Sequence, residues 1–421
     1  MSGPALVDLV SAGAQGQDAV AINDHIFMSR GVSNCYLAGT GSGALLVNTG
    51  MPHEAENHRD RFTRACDERI RAIVFTQSHG DHVGGWTTFN GPGVDTIVQK
   101  NFADVRGYWN RLAPFYGRRT AKLWASVAAT RPSGARAGSA PVLPPDPVPT
   151  ITFDDTYSFT VSGMRVELFS VPGGETTDSL LVWLPDERIA FSGNMLGPMY
   201  RHVPNLYTVR GDKLRSALRY VESVDRLRAL EPEVLITGHG DPIRGAERIH
   251  ADLTVLRDAV KWVHDETVAG MNAGTDLFTL MREITPPPEL ELGQGHGKVM
   301  WNVRAIWEEY AGWFRYESTT ELYAVPPRAV SGDLVELAGG PDALAKRASS
   351  YVAAGRPLEA LHLTDLVLAV DPDHRATRET ALAAHALLLE RSGATNLSET
   401  RWLETEIAAA RAALGDDTER K

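Results

Sequence analysis

An α/β sandwich followed by an all-α helical region is the fold class that this sequence predicts, and three observations carry the prediction. Up to about residue 270, short β-branched strands alternate with helical stretches and end in polar loops, the pattern of sheets covered by helices. After "TPPPELELGQG" (285–295) the character changes to consecutive amphipathic helices. With 421 residues, 43% of them hydrophobic and 23% charged, the chain has the composition of a soluble globular protein large enough for two domains.

The elements follow in order. Residues 18–50 alternate apolar and polar positions between Gly-rich turns, as in "IFMSRGVSNCYLAGTGSGALLVNTG", which predicts successive antiparallel strands. "RIRAIVFTQ" (69–77) is a short strand that runs straight into a histidine-rich stretch. From Asn101 to Val127 the pattern is helical and rich in aromatics and arginine, and the Pro-rich "RPSGARAGSAPVLPPDPVPT" (131–150) after it is a loop. Tyr108 to Trp124 is therefore a candidate wall over a site, although Trp109, Tyr116, Arg118 and Arg119 equally suit the two faces of an ordinary helix. Strands are expected at "TITFDDTYSFTVSGMRVELFSV", "SLLVWLP" and "RIAFSG". A helix from about Asp212 to Leu230, the strand "EVLITG" and a helix to about Ala269 complete this part.

The remaining helices are expected at Val299–Phe314, Ser331–Leu337, Pro341–Ala354, Pro357–Val370, His374–Ser392 and Ser398–Leu414. Within them, "RASSYVAAGRPLEALHLTDLVLAVDPDHRATRETALAAHALLLERSG" resembles a tetratricopeptide-type hairpin, with small residues at the crossing and a DP turn. It reads as a packing or dimerisation module. The predicted division is a metal-binding domain over residues 1–268 and a helical domain over 269–421.

A formal net charge of −11 disfavours electrostatic binding to nucleic acid or anionic membranes, which need a cationic face, but leaves room for a local basic pocket for a small anion. Cys35 and Cys66 are too few for a disulfide framework and are read as reduced, half-buried thiols. The opening "MSGPALVDLVSAGAQGQDAV" lacks a basic segment followed by an apolar run, and no stretch approaches the roughly 20 apolar residues of a membrane span. A cytoplasmic protein without membrane insertion is expected.

The chemistry concentrates in "TQSHGDHVGG" (76–85), where His79, Asp81 and His82 lie within one turn of chain. Zinc takes imidazole nitrogen and carboxylate oxygen in a tetrahedral site, and a catalytic site keeps one position open. Two further polar loops follow strands in the same way: "VPGGETTDS" with Glu175 and "ITGHGDP" with His239. A lone histidine or glutamate in a loop is ordinarily just solvated, but their recurrence at strand ends points to one convergent site.

"QSHGDHVGG", "PGGETTDS", "FSGN" and "GHGDP", in this order, resemble the metallo-β-lactamase superfamily over roughly residues 18–250. That resemblance implies an αββα sandwich with up to two metal ions at the strand edges. Within the superfamily the likeness is to the alkylsulfatases. Glu175 stands where most relatives place a histidine, "PNLYTVRG" (204–211) is nearly the alkylsulfatase signature, and "GKVMWNVRAIWEEYAGWFR" resembles the start of their dimerisation domain. What this implies is hydrolysis of a sulfate ester, or a similar anionic ester, by a metal-activated water. Asp81 would be ligand and water-orienter, Asn205 and Arg210 would meet the sulfate oxygens, and the helical domain would form a homodimer. Arginine's planar fork suits a tetrahedral oxyanion.

The sequence also departs from this pattern. Gln77 replaces the first histidine ligand, Asn194 takes the position of a bridging aspartate, and Asn48 that of a nearby supporting aspartate; Gly193 stands where alkylsulfatases place a metal-binding glutamate. An amide offers only a neutral carbonyl oxygen and cannot bridge two cations as a carboxylate does. Asp81, His82 and His239 remain a complete set of three. A second metal held by His79, Glu175 and Gln77, with manganese or iron favoured over zinc, a single zinc, and a loss of hydrolysis all stay open. So do a different hydrolysis or redox and rearrangement chemistry on the same fold, and a metal-poor binding or assembly protein. His202 and Tyr207 adjoin the anion loop as further candidates. Alkylsulfatases often carry an additional C-terminal lipid-carrier-like domain that this sequence does not show, so a smaller or bulkier substrate than a long detergent-like sulfate is expected.

Overall fold

The computed structural model describes residue 9, residues 18–120 and residues 145–415. Packing divides the chain into two units, Met1–Tyr310 and Ala311–Lys421. The first opens with an antiparallel meander, β1 (Val20–Ala21), β2 (Ile26–Ser29), β3 (Cys35–Gly39) and β4 (Ala44–Val47), as expected. Helix α1 (Ala55–Ala65) leads to β5 (Ile70–Val74), and the single turns α2 (Gly80–Val83) and α3 (Trp86–Phe89) lead to β6 (Asp95–Gln99). Helix α4 (Phe102–Thr120) precedes β7 (Ile151–Phe153), and β4 to β7 run parallel. The expected continuation of α4 to Val127, Trp124 and most of the Pro-rich loop lie outside the described residues.

A second sheet holds β8 (Thr156–Val161), β9 (Met164–Ser170), β10 (Leu180–Leu184), β11 (Ile189–Gly193), β12 (Val234–Thr237) and β13 (Ile243–Arg244). Helix α5 (Ala217–Arg228) crosses between β11 and β12, which pair in parallel, and α6 (Ala246–Asn272), α7 (Leu277–Glu283) and α8 (Val299–Ala311) follow.

Strand periodicity sorts the side chains into three cores. Leu45 and Val47 of β4, Val74 of β5, Leu180 and Val182 of β10 and Phe191 of β11 meet between the sheets. Leu46 and Ile73 point the other way, onto Phe62 of α1, Phe89 of α3 and Phe102 of α4. Leu181, Trp183 and Leu235 face Tyr220 and Val224 of α5, Leu253 and Leu256 of α6, and Val303 and Ile306 of α8. The layers are therefore helix, sheet, sheet, helix. Because both faces of each sheet are buried, inner strands such as "ALLV" and "LLVWL" read as apolar runs without alternation. Cys35 is fully buried and Cys66 half-buried; both are free thiols, and burial pushes the Cys66 thiol up to about 11.

In the second unit, α9 (Ser331–Leu337), α10 (Pro341–Ala353), α11 (Pro357–Val370), α12 (Arg375–Ser392) and α13 (Leu397–Leu414) fall within a residue or so of their expected bounds. Ala348, Ala360 and Ala384 bury the crossing of α10, α11 and α12, where only small residues let three helices approach. The compact units divide at 310/311, and α8 sends its apolar stripe into the same core as α6.

Candidate metal centre

Parallel pairing of β4 with β5 and of β11 with β12 brings several strand C-termini to one edge of the sandwich, and each is followed by a polar loop. Asn48, after β4, adopts a left-handed φ of 61°, which asparagine tolerates better than most residues. Its Oδ1 accepts from the Thr76 backbone N–H at 3.0 Å and its Nδ2 donates to Thr76 Oγ1 at 3.0 Å, fixing the start of the histidine stretch. Thr49 N donates to the His82 carbonyl at 2.7 Å, and Ser33 Oγ donates to that of Asp81, so α2 is held from two sides.

This scaffold brings Asp81, His82 and His239 together. One potential ligand atom of each lies within 4.8 Å of the others, the one such group of three His, Cys, Asp or Glu among the described residues. Asp81 Oδ2 is 3.5 Å from His82 Nε2 and 3.9 Å from His239 Nε2. His82 is fully buried, and neither of its ring nitrogens has a hydrogen-bond partner among the described residues. Burial pushes the His82 imidazole down to about 4 and lowers that of His239, against the opposing pull of Asp81, so both rings are neutral at pH 7 with lone pairs to offer. Burial would raise the Asp81 carboxyl, but His82 and His239 hold it below its usual range. Two neutral imidazoles and an ionised carboxylate converging on one point, with buried donors left unsatisfied, fit a divalent cation.

The adjoining half of the site is built differently. Gln77, fully buried, places its Nε2 2.9 Å from His79 Nδ1 and 3.4 Å from Glu175 Oε2. His79 Nδ1 lies 3.3 Å from the same carboxylate oxygen, and Asn194 Nδ2 donates to it at 3.1 Å while standing 3.3 Å from His239 Nε2. Asn194 thus ties the two halves together through its amide. Arg215, also buried, lies 3.7 Å from Glu175 Oε1, reaches Asp212 Oδ2 at 3.2 Å, and donates to the Asn205 carbonyl at 2.7 Å. Burial alone would raise the Glu175 carboxyl, yet the His79 contact and the Arg215 guanidinium keep it well below its usual range.

Next to Glu175 is a small pocket, lined also by Asn205, Arg215, Met195, Tyr220 and His296. His296 Nε2 is 3.6 Å from Glu175 Oε1. Asn205 Oδ1 and the Tyr220 hydroxyl are buried there without hydrogen-bond partners among the described residues. Arg210 approaches Asp212 at 4.0 Å. On the far side, Trp109 of α4 sets its ring edge-on to His79 at 5.9 Å and packs on Tyr116 at 4.7 Å, while Lys213 Nζ caps the Tyr108 ring at 5.0 Å. Arg118 and Arg119 are exposed, and Arg119 Nε lies beside Gly211 at the end of the 204–211 loop. His202 packs on Gly293 with its Nδ1 3.0 Å from the Tyr200 carbonyl, and Tyr207 is half-exposed.

The family model described as "Metallo-beta-lactamase superfamily" matches residues 28–239, half of the chain. The chain belongs to the metallo-beta-lactamase superfamily. A second family model, "Alkyl sulfatase dimerisation", matches residues 279–405, starting within the first compact unit. Relatives of this superfamily member are alkylsulfatases: the linear primary-alkylsulfatase of Pseudomonas sp. (strain ATCC 19151) is 29% identical over 80% of this chain and 66% of its own length. The alkyl/aryl-sulfatase BDS1 of Saccharomyces cerevisiae is 25% identical over 87% of this chain and 59% of its own. Among solved structures, the stereoselective inverting sec-alkylsulfatase Pisa1 from Pseudomonas sp. superimposes with a TM-score of 0.80 at 21% identity, covering 96% of this chain and 66% of that one. The chain therefore spans between about three fifths and two thirds of these relatives.

Superfamily membership implies a divalent metal, and the Asp81, His82 and His239 group suits one. Arg215 and His296 are the cavity residues that sequence reasoning missed. Arg215 lies five positions beyond Arg210 in the same loop, a signal that was present, whereas His296 stands alone ahead of α8 with no spacing to mark it. Gly193 closes β11 with φ +51°, and a Cβ there would stand 2.3 Å from Thr76 Oγ1.

Proposed function

We propose that this protein is a metal-dependent hydrolase of the alkylsulfatase-like branch that cleaves a sulfate ester or a similar small anionic ester. The observation that carries the reading is the convergence of Asp81, His82 and His239 beside a small pocket lined by Asn205 and Arg215. In this reading those three residues hold a divalent ion, zinc before manganese or iron. When bound, the ion supplies the Lewis acidity that makes hydrolysis by water feasible near neutral pH. Asp81 also orients the attacking water through its second carboxylate oxygen. Asn205 and Arg210 meet the anionic group, with charge-assisted hydrogen bonds that strengthen as negative charge develops. Trp109 and Tyr116 shape the side toward the organic part of the substrate.

The alkylsulfatase relatives support the reaction class, and the dimerisation family match supports a homodimer formed through the helical domain. Among the described residues no helix is long and apolar enough to cross a membrane, and a cytoplasmic location belongs to the same proposal, to be checked by cell fractionation. The decisive assay measures sulfate release from a panel of alkyl and aryl sulfates by metal-loaded protein. Release by the wild type and its loss in Asp81→Ala are expected; silence across the whole panel with metal bound would remove sulfate esters as the substrate class.

A further inference from the structure

We propose that this centre works with a single metal ion, held by Asp81, His82 and His239, and that Gln77 and Arg215 close the adjoining half-site to a second one. The proposal rests on the metal-binding reading above and goes on to fix the number of ions.

A tightly held ion needs at least three converging donors. His296 Nε2, 3.6 Å from Glu175 Oε1, and Asp212, 3.9 Å from His79 Nε2, stand nearby without completing a group of three among the described residues, so His79 and Glu175 offer two. Their shared neighbour is Gln77, and the edge it turns toward them is the amide N–H edge, 2.9 Å from His79 Nδ1 and 3.4 Å from Glu175 Oε2. A carboxylate only accepts hydrogen bonds, so the Glu175 contact fixes which end of the amide faces inward. An ion seated between His79 and Glu175 would meet hydrogens where it needs a lone pair. Asn194 presents an N–H to the same Glu175 oxygen at 3.1 Å.

Charge points the same way. Glu175 already has a cation: the Arg215 guanidinium, 3.7 Å away, buried, and fixed by the Asn205 carbonyl and Asp212. Arginine keeps its proton under all ordinary conditions, so its charge does not step aside for a metal. Both acceptor oxygens of Glu175 are thereby engaged, one by amide N–H groups and one by the guanidinium. Unpartnered atoms occur in both halves, His82 Nδ1 and Nε2 in one and His79 Nε2 and Gln77 Oε1 in the other, but among the described residues only Asp81, His82 and His239 bring three donors together.

The test counts metal in the full chain by native mass spectrometry and elemental analysis, after loading with zinc and separately with manganese and removal of loose ions. Thermal melts with and without metal run alongside. One ion per chain is expected in the wild type, still one in His79→Ala and in the milder His79→Gln, and none retained in Asp81→Ala, with the metal-dependent rise in Tm following the count. Two ions in the wild type falling to one in either His79 variant would overturn the proposal, as would a wild type that keeps none. Sulfate release measured on the same samples separates the readings. One ion without turnover sinks the sulfatase assignment and leaves this inference standing, whereas two ions with turnover do the opposite.

Discussion

Arg210 and Arg215 lie five residues apart in one loop, yet their surroundings assign them different work. Arg215 is buried and committed to Glu175, Asp212 and Asn205, so its charge is part of the frame. Arg210 keeps its side chain 21% exposed and approaches Asp212 only loosely, at 4.0 Å, leaving donors for an incoming anion. Arg210→Ala is therefore expected to lower kcat/KM for a sulfate ester by about 10²–10³-fold with the metal content unchanged, checked by steady-state kinetics and elemental analysis on one preparation. Away from the site, His58 is fully buried against Ser29, with its Nδ1 2.7 Å from Ser29 Oγ. Burial, helped by Arg61, pushes its imidazole down to about 3 from an ordinary 6.5. The unfolded chain then binds a proton that the folded chain refuses, so this histidine's contribution is present above pH 6.5 and is lost as pH falls toward 3. The loss is about 1.4 kcal/mol per pH unit at most. Urea unfolding of wild type and His58→Gln at pH 7, 6 and 5 should show the shallower decline in the variant; parallel declines would rule this residue out.

At the scale of elements, the strand-end loops depend on close approaches between backbones. A Cβ on Gly173, in the loop after β9, would stand 1.9 Å from the Arg219 carbonyl of α5, where no flexible side chain can yield. Gly173→Ala should destabilise the protein by about 1–3 kcal/mol and displace the loop that carries Glu175, measured as a drop in denaturation midpoint together with weaker substrate binding. The same elements show what the sequence could and could not disclose. The meander, the strands flanking the site and the C-terminal helices were legible because each has a clear apolar period or run. Helix α1 was not, since "AENHRDRFTRA" buries only four residues, two of them His58 and Arg61, and its polar composition hides the stripe. Strand β6, "DTIVQ", is too short a run to tell from a loop. His79, Asp81 and His82 stood out because chemistry is packed into one turn. The inward-facing end of the Gln77 amide is a matter of orientation, and no residue letter encodes that.

For the whole molecule, the relation between the helical C-terminal unit and self-association is open to a direct check. Trp313 and Tyr316 are 74% and 87% exposed, and Leu337 is 84% exposed. Apolar surface of this kind, within the region matched by the alkylsulfatase dimerisation family, fits an interface between two copies. Sedimentation should find a dimer for the wild type and a monomer for Trp313→Glu combined with Tyr316→Glu, the latter still folded by circular dichroism. Where a helix packs is decided by which core accepts its stripe, and α8 carries a stripe that would suit a helical bundle equally well.

Gly193 limits which ligand sets the site can hold. Placing a glutamate at this position, as the alkylsulfatase likeness would, means forcing a side chain into a left-handed backbone with its Cβ 2.3 Å from Thr76 Oγ1. Thr76 cannot retreat, because Asn48 grips both its hydroxyl and its backbone N–H. A variant carrying that carboxylate would need Thr76 and Asn48 to change as well, and changing either loosens the histidine loop. The present ligand set is therefore held in place by its neighbours.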